Sequence, residues 1–114
     1  MIRVPTISVK HNWRNATNRL DRYGVHLRVY LSGEQARHYP IEISSKISVQ
    51  EWLGKDNHWV KNTHPFFFEI NCKIAETVNK LNDLVKRHYT QNKPVTFYRI
   101  EKELMLRGRT EYIQ

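Results

Sequence analysis

Hydrophobic and polar residues alternate with a period of two in three places along the first 43 positions, after which the period lengthens. In residues 5–13, PTISVKHNW, Ile7, Val9, His11 and Trp13 fall on one side and Thr6, Ser8, Lys10 and Asn12 on the other, the alternation of a strand buried on one face only. Val25, Leu27, Val29 and Leu31 alternate with His26, Arg28 and Tyr30 in a second strand over 25–32. Tyr39, Ile41 and Ile43 alternate with His38 and Glu42 in a third, from about 35 to 43. Gly24 is a turn signal before the second strand, and Ser32-Gly33-Glu34 a short hairpin connection after it. Three antiparallel strands in a meander then have one aliphatic face to bury and one polar face left open.

A helix supplies the cover. Phe67, Ile70, Ile74, Val78, Leu81, Leu84 and Val85 recur at steps of three and four, while Lys73, Glu76, Lys80, Asp83 and Lys86 occupy the other side, which predicts one amphipathic helix over about 65 to 90. Thr63 or His64 is its expected cap, with Pro65 in the first turn where a missing N–H costs nothing. Between sheet and helix, SSKISVQEWLGKDNHWVKN reads as irregular chain, with Trp52 and Trp59 plugging the edge of the core. A second, shorter helix starts at Thr96 as N-cap, presents Phe97, Ile100 and Leu104 on one face and stops at Gly108. The fold class expected is therefore α+β: a three-stranded antiparallel sheet packed against one long C-terminal helix, followed by a short helix.

Charge changes this picture on the open face. The 114 residues suffice for one core, and 19 Lys+Arg against 11 Asp+Glu give a net charge of +8, which favours a polyanionic partner or an acidic surface. Residues 1–39 hold seven bases, six of them Arg, against two acids, and Arg is the side chain suited to bidentate contacts with guanine and phosphate. The single cysteine, Cys72, forbids an intrachain disulfide, and its place near the apolar stripe suggests packing. Without a leader-like apolar segment or a membrane-length apolar run, a cytoplasmic location is expected and no membrane partner.

The order of elements narrows the nucleic-acid folds. A double-stranded RNA-binding domain begins with a helix, an RRM needs aromatic motifs that are absent, and a helix-turn-helix needs a tighter turn than QNKPVT. A twisted sheet backed by a helix can instead offer its exposed face to the major groove of B-DNA. Lys10, Asn12, Arg28 and Tyr30 would project from that face, Arg28 and Asn12 being types that read guanine and adenine edges, while Arg14, Arg19 and Arg22 in the loop between the first two strands would meet phosphates. His26, Arg37 and His38 complete the candidate set. The alternatives are a merely solvated face and a protein-interaction module whose basic surface is incidental. The six histidines lack metal-ligand spacing, the HNH-like His11-Asn12 and Asn57-His58 fall in the wrong order for that nuclease, and no glycine-rich phosphate loop exists; neither cofactor nor metal is expected.

The succession ISVKHNW, GVHLRVYLSG, ARHYPIEIS, ISVQEW and THPFFFEINCKI resembles the N-terminal arm-type DNA-binding domain of tyrosine recombinases, the integrases of prophages and conjugative transposons. The similarity runs from about Thr6 to Leu104 and rests on Leu27-Arg28, on Ile47, Ser48, Val49 and Trp52, and on His64, Pro65, Ile70 and Asn71. It implies a module that holds arm-type sites in double-stranded DNA through its sheet, in the major groove, while other domains act at the crossover site, with other integrase protomers as further partners. The family's catalytic constellation includes a His-x-x-Arg pair; the one such spacing here, His11-Asn12-Trp13-Arg14, falls at the end of the first strand, far from Tyr112, which has no such setting. The resemblance thus implies a non-enzymatic piece of a recombinase, with residues 1–92 as the arm domain and 93–114 as linker and start of a core-binding domain, led by a helix over 96–107.

Overall fold

The computed structural model describes residues 4–104; Gly108, Tyr112 and the end of the second helix lie outside them. Three strands, β1 (Thr6–His11), β3 (Val25–Tyr30) and β4 (Arg37–Ile41), form an antiparallel sheet in the order β1-β3-β4, and between the first two a short strand, β2 (Arg22–Tyr23), leaves the sheet. Ile7 pairs with Val29, Val9 with Leu27 and Val25 with Ile41. Residues directly opposite in an antiparallel pair share a face, so this register gathers the aliphatic side chains on one side. Val25, Leu27, Val29 and Ile41 are accordingly buried. Truncating Leu27 to Ala would cost about 3 kcal/mol, given its central place. The β3–β4 turn is closed by Glu34 N–H donating to Leu31 C=O at 2.9 Å, with Gly33 at φ 86°, a conformation cheap for glycine.

The segment expected to be irregular is mostly ordered strand. β5 (Ile47–Ser48) pairs with β2, a 3-10 turn (Val49–Glu51) follows, and β6 (Trp52–Lys55) forms a hairpin with β7 (His58–Val60). Its register, Trp52 to Val60 and Lys55 to His58, leaves an extra residue on β6. That bulge breaks the alternation by which a strand is recognised in sequence. Gly54 sits at the bulge with φ 75°, and a Cβ there would lie 3.0 Å from Trp52 Nε1. The Ser48 hydroxyl and the Glu51 carboxylate cap each other's backbone N–H groups in a capping box. Trp59 is buried, and Trp52 packs on the core edge while stacking on His11 of β1 at 5.0 Å. His11 also donates from Nε2 to Ile47 C=O at 2.7 Å, which ties β5 to the sheet.

Helix α1 (Phe67–Thr90) buries Ile70, Ile74, Leu81 and Leu84 against this layer, with Phe67, Val78 and Val85 half-buried, as the stripe predicts. Its start differs from the expectation. The N-cap is Phe66, without a side-chain cap, and Pro65 precedes the helix. His64 is 1 % exposed and serves nearby: Phe66 N–H donates to its Nδ1 at 3.0 Å, and its Nε2 donates to Lys46 C=O at 3.2 Å. Asn71 uses both ends of its amide on Val60, accepting from the N–H at 2.9 Å and donating to the C=O at 3.1 Å, and so clamps β7 to the helix. Cys72 is exposed rather than packed, because it points away from the stripe that Ile70 and Ile74 define. A second helix, α2, occupies 97–104 of the described residues; Thr96 caps it through Arg99 N–H to Oγ1 at 3.3 Å. Phe97 and Ile100 join the same core as the sheet and α1.

Candidate nucleic-acid interface

The register that buries one face also builds the other. Lys10, His26 and Pro40 lie opposite one another in a row, Ser8, Arg28 and His38 in the next, and Thr6 opposite Tyr30 in a third. These rows share the open face. None of the three strands contains an Asp or Glu, so the basic side chains there have no acid beside them in the sheet. The Arg28 guanidinium leans over the Tyr30 ring, 5.8 Å from its centroid.

Trp13 belongs to this face, and alternation alone assigns it to the other. Asn12 ends β1 with φ 51°, a left-handed conformation that Asn tolerates and that breaks the strand's parity. The indole consequently stacks flat on His38, centroids 3.7 Å apart and planes 9° apart, and meets His26 edge-on at 6.1 Å. Arg14 lies 5.1 Å above the indole. The one sequence signal for this switch is an Asn at a strand end, followed within the loop by Asn15 and Asn18.

Electrostatics register the crowding of positive charge. Burial, and then His38 and Arg14, hold the His26 imidazole below its ordinary range. Burial, and then Arg28 and Lys10, do the same to His38. His26 Nδ1 is buried and has no hydrogen-bond partner among the described residues. A cationic field that disfavours protonation of two histidines also favours any anion that approaches.

The remaining candidates separate. Asn12 spends its amide within the loop, donating to Ala16 C=O at 3.0 Å and accepting from Ala16 N–H at 3.1 Å, so it is a loop clamp and not a free donor-acceptor pair. Arg14 and Arg19 are exposed in that loop. Arg22 is drawn away on β2, where its guanidinium is 3.4 Å from both Lys46 C=O and the Glu51 carboxylate. Arg37 lies opposite Val29, on the covered face, and its guanidinium binds Glu101 and stacks over Phe97 at 4.3 Å. The open face therefore unites Lys10, His26, Arg28, Tyr30 and His38 with Trp13 and Arg14. Among the described residues no helix is long and apolar enough to cross a membrane.

A family model described as Arm DNA-binding domain matches residues 11–101. Neither a curated protein nor a solved structure matches the chain.

Proposed function

The chain belongs to the arm DNA-binding domain family, the N-terminal domain type of tyrosine recombinases, and on that premise we propose that the open face of the β1-β3-β4 sheet reads arm-type sites in the major groove of double-stranded DNA. The observation that carries this is the acid-free row Ser8, Arg28 and His38 beside the row Lys10 and His26. Arg28 offers its two-pronged guanidinium to a guanine edge in this reading, and Tyr30 and Ser8 flank it with hydroxyls. Lys10 meets phosphate, and Arg14 and Arg19 on the loop extend the backbone contacts that set register on the duplex.

In the whole protein this module serves a site-specific tyrosine recombinase that integrates and excises a mobile element. Residues 1–92 hold the arm site, and the chain from residue 93 onward, whose Phe97 and Ile100 still pack into the same core, leads towards the core-binding domain. Two linked binding units gain affinity through effective concentration, so a modest arm affinity suffices to organise several protomers on the element's ends. The reaction itself belongs to a separate catalytic domain.

The test is selection from a random-sequence duplex pool followed by fluorescence-anisotropy titration at low and near-physiological salt. Preference for one short site over its scramble by more than about tenfold, persisting as salt rises, supports sequence-specific arm binding. Equal, salt-erased binding to all duplexes overturns it and leaves an interaction module with an incidental basic surface.

A further inference from the structure

Trp13 is not part of the hydrophobic core, and 37 % of it stays exposed on a face otherwise made of charged and polar groups. Its position is nonetheless fixed from three sides: His38 beneath it at 3.7 Å, His26 at its edge at 6.1 Å and Arg14 above it at 5.1 Å. Holding a large aromatic ring rigid costs little entropy at the moment of binding, because the ordering is already complete in the free protein. With His38 and Arg14 over the ring, the exposed part of the indole is its edge, and a preorganised apolar edge among cations suits a small apolar group on an otherwise polyanionic partner. The edges of B-DNA display one such group in the major groove, the C5-methyl of thymine.

We propose that Trp13 is a specificity-determining residue that reads thymine through its C5-methyl group, with His38 as the positioning residue that holds the indole. This rests on the proposed reading of the open face as the DNA surface. Hydrogen-bonding side chains such as Arg28 do not sense a methyl group, so Trp13 supplies discrimination that the basic residues cannot. The register adds a spacing. His38 lies directly opposite Arg28, and neighbouring strands are about 4.8 Å apart, between one and two base-step rises of about 3.4 Å. The recognised site therefore places a thymine within one or two base pairs of the guanine that Arg28 contacts.

Uracil in place of thymine removes the methyl group and leaves every hydrogen-bonding group of the base in place. The experiment titrates the selected duplex, with each thymine replaced singly by uracil, against the unaltered protein, Trp13→Ala, His38→Ala and Lys10→Ala, beside a scrambled duplex. The unaltered protein loses three- to tenfold in affinity at one or two positions, Trp13→Ala shows no loss there, and His38→Ala shows a reduced loss. Lys10→Ala binds more weakly but keeps the full methyl discrimination. Thermal melting of each variant controls for folding, and the uracil scan on the unaltered protein needs no variant. Selective binding that is indifferent to uracil at every position, or a loss that persists in Trp13→Ala, overturns the assignment to Trp13 and leaves the DNA-reading face standing. Absence of any preference over the scramble overturns that reading, and the assignment with it.

Discussion

Arg37 on β4 is joined to Glu101 on α2 by a direct guanidinium–carboxylate bond across 64 positions of sequence. Tyr39, two residues along the same strand face, donates its hydroxyl to the same carboxylate oxygen at 2.8 Å. Burial, and then the Glu101 carboxylate, push the Tyr39 phenol above its ordinary range. Together with the stack of Arg37 on Phe97, these contacts fasten the described part of α2 to the edge of the sheet. Arg37→Ala is accordingly expected to lower the urea midpoint only slightly, since the pair is solvated, while DNA affinity stays within about twofold. Urea denaturation beside anisotropy titration checks both, and a large loss of affinity without loss of stability would place Arg37 in the binding surface.

Arg28 and Lys10 are expected to behave differently from each other. Arg28→Ala should weaken the selected duplex by about tenfold and relax the preference at one position, whereas Lys10→Ala should weaken all duplexes alike and reduce the salt slope by about one phosphate. Titrations at four salt concentrations separate these outcomes. Identical salt slopes for Lys10→Ala and the unaltered protein would remove Lys10 from the backbone contacts.

Two opposite pH responses follow from the depressed histidines on the open face. His26 and His38 titrate below their ordinary value of 6.5 when folded, so the unfolded chain binds protons first and stability falls as pH drops through about 6.5. Glu51 contributes lower on the scale. Burial pushes its carboxyl up, but hydrogen bonds from Ser48, and then the nearby positive charge of Arg22, hold it below 4.5, so its stabilisation is present above that value and is lost as pH falls through the folded value. DNA phosphates favour the protonated imidazoles, so affinity should rise as pH falls through about 6.5, where the free protein begins to lose stability. Urea denaturation and anisotropy at matched pH test the pair, and affinity that is flat in His26→Gln/His38→Gln but rising in the unaltered protein assigns the effect.

Asn71→Ala should cost about 2 kcal/mol or more, because it leaves both the N–H and the C=O of Val60, a fully buried residue, without their side-chain partner. Hydrogen exchange should then accelerate first in the β6–β7 hairpin. Unaltered protection there would mean that hairpin packing through Trp59 carries the docking instead.

Most of the scaffold was legible in the sequence because it rests on periodicity. The alternation in Val25–Tyr30, the α1 stripe through Ile70, Ile74, Leu81 and Leu84, and Thr96 as a cap all appear where expected. Two kinds of information were not carried by periodicity. Backbone conformation at single residues decided the β6–β7 bulge at Gly54 and the turn at Asn12, and the latter moved Trp13 onto the open face. Long-range pairing decided the fate of exposed arginines: Arg22 and Arg37 found carboxylates on distant segments, while Arg28 has no acid in its sheet. For Arg37 parity was already informative, since it falls in step with Tyr39 and Ile41 on the covered face.

The central claim is that the open face of the sheet is where DNA sits, and an amide and indole NMR footprint on adding the selected duplex tests it most directly. The account predicts that the largest shifts and broadening fall on residues 8–14, 26–30 and 38, including the Trp13 indole N–H, with the exposed side of α1 at Glu76, Asp83 and Lys86 unmoved. Perturbations centred on α1 with the sheet resonances unchanged would contradict it.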